Sequence, residues 1–125
     1  MSIKNLTKHL DTAKKAALGA GKILKDKKNR LNKELSSSSK DIKLLADIAA
    51  EDYIKDLLLN TGIEILAEES LSSKKIVSEI FWVVDPLDGT ANYSRDIPLC
   101  CVSIAIIANF VPIMGVIYDF NNNNL

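Results

Sequence analysis

The sequence is poor in the residues that carry several common chemistries. It contains one histidine, His9, and two cysteines, Cys100 and Cys101, which are neighbours in the chain. His9 lies in a lysine-rich helical pattern, so we expect it at the surface and do not expect a mechanism based on histidine. Neighbouring side chains on a strand point to opposite faces, so the two cysteines are poorly placed to bridge each other. They also lack metal-ligand spacing, and we expect buried, small apolar side chains.

Other absences exclude further classes of protein. Free thiols and the lack of a recognisable secretory leader predict a cytoplasmic protein. The serines at residues 36–39 have no Gly-x-Ser-x-Gly context and no partner base, which excludes a serine hydrolase. Residues 97–118 are apolar enough to raise the question of a membrane span, but Pro98, Asn109 and Pro112 interrupt them and β-branched residues dominate. We therefore expect a buried β-hairpin there and no membrane partner.

Charge is unevenly distributed, although the formal net charge is zero. Residues 1–40 hold eleven Lys and Arg against three Asp and Glu, and residues 41–125 hold five against thirteen. The lysines are dispersed along a helical pattern without interleaved aromatic residues, which favours a solvated helix face over a nucleic-acid surface. The acidic excess of the second part is what a cation site would produce.

The spacing of apolar residues predicts an α+β fold in one domain, residues 1–125, with two N-terminal helices on a mostly antiparallel sheet. Gly19 and Gly21 weaken the first helix, and we expect close packing against a neighbour to explain them. The predicted elements are a helix over residues 4–28, a flexible polar loop over 29–40, a helix over 44–60, strands over 63–67, 79–85, 99–107 and 112–118, and a short helix over 90–95.

Two acidic motifs carry the strongest chemical signal. Asp85-Pro86-Leu87-Asp88-Gly89-Thr90 follows an apolar run directly, and Glu68-Glu69 stands upstream of it. A buried β-branched run that ends in carboxylates indicates a central strand presenting oxygen ligands, which suit Mg²⁺. Asp-Pro and Asp-Gly are also ordinary turn dipeptides, and either alone would indicate only a corner. Together, and with the Gly89 and Thr90 amides at a helix start, they predict a metal-assisted phosphate site.

The order and spacing of these motifs resemble the inositol monophosphatase family of Mg²⁺-dependent, Li⁺-sensitive phosphatases. The matching segments are Glu68-Glu69-Ser70, residues 82–93 and Val102-Ser103-Ile104-Ala105. The resemblance runs from about Leu6 to Leu125. It implies the amino-terminal half of an α/β/α/β/α layered fold, as a fragment. A second family signature, Trp-Asp-x-x-Ala-Gly with a further metal-ligating Asp, is expected beyond residue 125.

The resemblance also implies roles for the acidic residues. Asp85 is expected to bridge two metal ions, the carbonyl of Leu87 to add a ligand, and Asp88 to hold the second metal and a substrate hydroxyl. Glu68 is the implied metal ligand of the glutamate pair, with Glu69 as a neighbour that supports it. The residue letters alone do not decide between these two glutamates.

The resemblance pairs Thr90 with Asp47 for activation of water. It implies Asp47, Glu68 and Thr90 as catalytic residues and Asp88, Gly89 and Thr90 as substrate-binding residues. The helical pattern alone leaves Asp47 as either a helix-start acid or a ligand of metal-bound water. This sequence has Leu44-Leu45 where many relatives have Val-Thr.

The resemblance also implies a role for Lys40 and Asp41. They match a loop that shapes a weaker third metal site in relatives.

The implied function is a Mg²⁺-dependent phosphomonoesterase. It would hydrolyse inositol phosphate or a related sugar or nucleotide phosphate by metal-activated water, without a nucleic-acid partner, and the family implies a homodimer. The alternative is a catalytically incomplete chain that binds metal or a partner chain without turnover. The residues that choose the substrate are expected mostly beyond Leu125.

Overall fold

A computed structural model describes residues 1–32, 34–37, 42–67 and 78–125 of the chain. The order of elements along the chain is helix-rich first and strand-rich later, as the apolar spacing predicts. The elements are α1 (Ile3–Asp26), α2 (Lys28–Leu31), β1 (Glu34–Ser37), β2 (Ile42–Leu44), α3 (Leu45–Leu58), a 3₁₀ turn (Leu59–Thr61), β3 (Glu64–Ala67), β4 (Ile80–Asp88), α4 (Thr90–Ser94), β5 (Cys101–Ala108) and β6 (Val111–Tyr118).

Helix α1 begins at a side-chain cap and buries a stripe of small residues. The hydroxyl of Ser2 accepts a hydrogen bond from the Asn5 amide at 3.2 Å, which satisfies one of the free N–H groups of the first turn. The two glycines lie where neighbours approach closely. A Cβ on Gly21 would lie 2.5 Å from the Tyr118 ring, and one on Gly19 would lie 2.0 Å from the Tyr53 hydroxyl. The expected reason for both glycines is therefore confirmed.

The main sheet has the strand order β3-β4-β5-β6. β3 and β4 are parallel, whereas the β4–β5 and β5–β6 pairs are antiparallel. The α+β class and the mostly antiparallel sheet are thus confirmed. β5 and β6 form the hairpin expected within residues 97–118, but it is not buried as predicted, because several side chains of β6 are exposed. None of the helices in the described part of the chain is both long and apolar enough to cross a membrane.

The sheet has two unlike faces. Helix α1 packs against β5 and β6, and α3 packs against β4, so one face is covered. Trp82, Ile104 and Ile106 on this covered face have no exposed surface. Side chains alternate between the two faces along a strand. The other, open face therefore carries Phe81, Val83 and Asp85 of β4 together with Ile113 and Ile117 of β6. Ile113 is 36% exposed and Ile117 is 63% exposed.

The structure corrects the predicted flexible loop over residues 29–40. Residues 28–31 form α2, and β1 pairs with β2 in an antiparallel ladder that includes Ser36 and Ser37. The backbone groups of an antiparallel pair bond to each other whatever side chains they carry, so a polar, serine-rich segment can take part. Residues 33 and 38–41 lie outside the described part.

His9 is not a freely exposed surface residue as predicted. It is half-buried, and its ring stands edge-on to the indole of Trp82, with ring centroids 6.1 Å apart. The lysine-rich pattern of α1 predicted the solvent side of the helix correctly, but His9 lies at the border between that side and the buried stripe.

Candidate metal and phosphate site

Strand β4 is longer than the sequence predicts and includes the first residues of the motif that begins at Asp85. The strand does not end at Asp85 but continues to Asp88, which pairs with Cys101 of β5. The register shifts between Asp85 and Asp88, because β4 has one residue more than β5 over this stretch. Such a bulge bends the strand and changes the direction of the side chains that follow. Pro86, which has no N–H to donate, lies within the bulge, where it disrupts no ladder bond.

Three oxygen groups lie along this bulged end. The Oδ1 atom of Asp85 is buried and has no hydrogen-bond partner among the described residues. The Asp88 carboxylate is exposed and its Oδ2 lies 3.8 Å from the Cys101 thiol. Leu87 buries its side chain and contributes a backbone carbonyl. Two carboxylates and a carbonyl are the ligand types that Mg²⁺ and Ca²⁺ prefer, and a cation would give the Asp85 oxygen a partner.

A hydroxyl and a buried carboxylate join α4 to α3. The Thr90 hydroxyl lies 2.9 Å from Asp47 Oδ1 and 3.1 Å from the Leu87 carbonyl, and it can donate its single proton to either oxygen. Asp47 is only 2% exposed, and its Oδ2 accepts a hydrogen bond from the Leu44 amide at 2.9 Å. Asp47 thus caps the start of α3 and also contacts Thr90, 43 residues away in the chain.

Gly89 is required by the geometry of the corner between β4 and α4. Its φ is +92°, in the left-handed region, and an added Cβ would lie 2.7 Å from the Leu99 carbonyl oxygen. The Gly89 carbonyl accepts the Tyr93 amide at 2.9 Å, which forms the first turn of α4. The corner therefore holds Thr90 directly after the two carboxylates.

The Cys101 thiol is a neighbour that sequence reasoning missed. Burial, followed by the negative charges of Asp88 and Asp85, raises the pKa of this thiol to about 11. It is therefore protonated at neutral pH and donates weakly to Asp88. Cys101 was expected only as a buried apolar residue. The pairing of β5 with β4 places Cys101 beside Asp88. The sequence signal for this pairing is the apolar strand pattern that follows Pro98.

Several predicted site residues cannot be placed. Glu68, Glu69, Lys40 and Asp41 lie outside the described residues. Within residues 1–32, 34–37, 42–67 and 78–125, no group of three or more His, Cys, Asp or Glu side chains is arranged to hold a metal ion. The structure brings together five of the predicted residues, Asp47, Asp85, Leu87, Asp88 and Thr90, and positions Gly89 at their corner.

The arrangement suits reactions of anionic, oxygen-rich groups. The carboxylates and the carbonyl at the end of β4 can hold a hard cation, and the Thr90–Asp47 pair can accept a proton through the hydroxyl. No described histidine or thiolate lies in position to act as a nucleophile here, since the Cys101 thiol is protonated.

Comparison with known proteins supports the family resemblance found in the sequence. The sequence profile described as the inositol monophosphatase family matches residues 5–125. A fructose-1,6-bisphosphatase/inositol-1-monophosphatase of Aquifex aeolicus is 35% identical over 120 residues, which is 93% of this chain and 45% of that protein.

Solved structures with the same fold include two bacterial proteins. An inositol monophosphatase from Anabaena (Nostoc) sp. PCC 7120 superposes with a TM-score of 0.77 at 36% identity, over 95% of this chain and 42% of that one. The extragenic suppressor protein suhB from Bartonella henselae superposes with a TM-score of 0.80 at 32% identity, over 90% of this chain and 45% of that one. The chain thus spans less than half the length of these relatives.

Proposed function

Since the chain belongs to the inositol monophosphatase family, we propose that residues 1–125 form the amino-terminal, metal-binding part of a Mg²⁺-dependent phosphomonoesterase. The proposed substrates are inositol phosphate and related sugar or nucleotide phosphates, in keeping with the names of the relatives. The observation that carries the proposal is the buried Oδ1 of Asp85, which has no partner among the described residues and lies on the same bulged strand end as Asp88 and Leu87. The free thiols of Cys100 and Cys101 support a cytoplasmic location.

Asp85, Asp88 and the Leu87 carbonyl would hold the Mg²⁺ ions, with Glu68 as a further ligand assigned from the order of the family motif. When bound, Mg²⁺ supplies positive charge against the phosphate oxygens and makes water a stronger acid. Leu87 can serve in this way because a carbonyl has two lone pairs, so one remains when Thr90 donates to the other.

Thr90 and Asp47 would orient the attacking water. When the Thr90 hydroxyl donates to Asp47 Oδ1, its oxygen is free to accept a hydrogen from water. The proton can then pass through Thr90 Oγ1 to Asp47, whose second oxygen stays bonded to the Leu44 amide. Because the hydrogen bond from the Leu44 amide fixes the Asp47 carboxylate, the proton acceptor is in place before substrate binds.

Asp88 and the amides of Gly89 and Thr90 would bind substrate. Asp88 is exposed, so one carboxylate oxygen can accept a substrate hydroxyl. α4 has only five residues, so its dipole contributes little, and the phosphate would depend on individual N–H groups of the corner.

The test is Mg²⁺ binding by the Asp85→Asn variant, measured by isothermal titration calorimetry. We expect the affinity to fall at least about tenfold, because a neutral amide replaces a charged ligand, while the far-ultraviolet circular dichroism spectrum stays unchanged. Asp52→Asn is the matched control, because Asp52 is exposed on α3 and lies outside the site. Equal Mg²⁺ titrations of the Asp85 variant and the unaltered chain would overturn the metal assignment.

The alternative is a chain that binds metal or a partner chain without turnover. The exposed Ile113 and Ile117 on the open face of the sheet favour it, because large exposed apolar side chains are common at interaction sites. Release of inorganic phosphate from inositol 1-phosphate distinguishes the two. Mg²⁺ binding without phosphate release by the unaltered chain would support the alternative, and release that Asp85→Asn abolishes would support the enzyme. A homodimer, which the family implies, stays a prediction.

A further inference from the structure

A cavity lies between the first half of α1 and the 3₁₀ turn that follows α3. Its volume is about 500 Å³, within the usual range for small-molecule sites. α1 contributes Lys8, His9, Thr12 and Lys15, and the turn contributes Asn60. Lys8, Thr12 and Lys15 follow each other at spacings of four and three and so share one side of the helix, and His9 lies three residues before Thr12 on the same side.

The cavity is separate from the carboxylates of β4. His9 packs on Trp82, which lies on the covered face of the sheet, whereas Asp85 lies on the open face. Trp82 also precedes Asp85 by three residues, which is about 10 Å along a strand. A molecule bound between α1 and the turn would therefore not contact the proposed metal ligands.

One wall of the cavity is held rigidly. The buried indole of Trp82 donates its Nε1 hydrogen to Thr61 Oγ1 at 3.0 Å, and Thr61 donates to the Leu58 carbonyl at 2.6 Å. His9 stands edge-on to this fixed indole. Its Nδ1 is buried without a partner among the described residues. A ligand in the cavity would therefore contact the His9 ring through Nε2.

The charges around the cavity favour an anion. Lys8 and Lys15 are both exposed, and neither forms an ion pair within the described part of the chain. With the His9 ring and the Asn60 side-chain amide, they offer four groups that can donate to an anionic ligand. Asp11 is the one acidic residue among the described residues that line the cavity.

Acceptors for hydroxyl groups are present as well. The Thr12 hydroxyl donates to the Lys8 carbonyl at 3.1 Å, which leaves its oxygen as an acceptor. The Asp11 carboxylate is a second acceptor. We propose that this cavity is a binding site for a small phosphorylated polyol, whose phosphate contacts Lys8, Lys15 and His9 and whose hydroxyls contact Thr12 and Asp11.

The test uses the intrinsic fluorescence of Trp82, which is the only tryptophan in the chain and lies against His9. The whole chain is titrated with glucose 6-phosphate, inorganic phosphate and glucose. A chelator removes divalent cations from the carboxylate site, and sodium chloride keeps the ionic strength constant. We expect a saturable change that is tightest with glucose 6-phosphate, weaker with phosphate and weakest with glucose.

Two double variants separate a site from general attraction of anions. Lys8→Ala/Lys15→Ala should weaken glucose 6-phosphate binding about fivefold or more, because two charged contacts are lost. Lys4→Ala/Lys14→Ala removes the same charge from exposed positions of α1 outside the cavity and should leave binding unchanged. The proposal is overturned if both pairs weaken binding equally. It is also overturned if neither fluorescence nor calorimetry detects binding up to about 10 mM.

Discussion

On one face of the four-stranded sheet, Ile104 and Ile106 have no exposed surface, and on the other, Ile113 and Ile117 are 36% and 63% exposed. The residue type is the same on both faces, so the difference comes from what packs against each face. Among the described elements, the helices α1 and α3 cover only one of the two faces. A sheet whose second face were meant for water would carry polar residues there. The covered face therefore belongs to the buried core of this chain, and the open face exposes large apolar side chains, which are common at interaction surfaces.

The strongest test of this comparison truncates one isoleucine on each face. Ile104→Ala should reduce the free energy of unfolding by about 2–5 kcal/mol, because it opens a cavity in a filled core. Ile117→Ala should cost no more than about 0.5 kcal/mol, because its side chain already contacts solvent. Urea unfolding monitored by circular dichroism measures both.

A large loss of unfolding free energy in Ile117→Ala would contradict this difference between the two faces. It would mean that the open face is covered in solution by another chain. Sedimentation velocity of the unaltered chain would then show self-association, and Ile117→Ala would reduce it.

A second test concerns the corner between β4 and α4, where Gly89 precedes Thr90 of the candidate site. Gly89→Ala should cost about 2–3 kcal/mol, because the methyl group adds a clash with the Leu99 carbonyl to the strain of a positive φ. Gly62→Ala is the matched control. Its φ is +72° but nothing lies within 4 Å of the added methyl, so it should cost only about 1 kcal/mol. Equal losses in urea unfolding would show that the corner can shift away from the clash.

The smallest expected effect is a dependence of stability on alkaline pH. The Cys101 thiol, on the open face beside Asp88 and Asp85, has a pKa of about 11 in the folded chain against an ordinary value of 9.0. The folded chain therefore holds this proton to higher pH than the unfolded chain. Its stabilising effect is complete below pH 9.0 and is lost as the pH rises to about 11.

The measurement compares the urea midpoints of the unaltered chain and Cys101→Ala across this range. The variant should lose less stability with rising pH. Parallel curves would show that the thiol does not titrate differently in the folded chain.

The sequence predicted those parts of the molecule in which local pattern and tertiary packing agree. The β5–β6 hairpin follows from apolar β-branched runs on either side of a short connection, and the structure has it. The family assignment rests on the hexapeptide that begins at Asp85, where the chemistry needs specific residues in order. The contact between Thr90 and Asp47 was implied by resemblance alone, because residues 43 positions apart leave no local signal.

The remaining features depend on contacts that no local pattern contains. The bulge that continues β4 to Asp88 arises from a register shift against β5. The proximity of Cys101 to Asp88 follows from the same register. The burial of His9 depends on where Trp82 lies beneath α1. The pairing of β1 with β2 was missed because a serine-rich segment has no apolar alternation to indicate a strand.

The long reach of α1 across the fold also has a consequence for synthesis of the chain. The Tyr93 hydroxyl donates to the Leu24 carbonyl at 2.7 Å across 69 residues, and Gly21 packs against Tyr118, the last residue of β6. α1 leaves the ribosome before its partners on the sheet, which follow only after roughly ten seconds of translation. During that time its alanine-rich stripe has no sheet to pack on. A helix made before the sheet therefore reaches its final packing only after the sheet has been made.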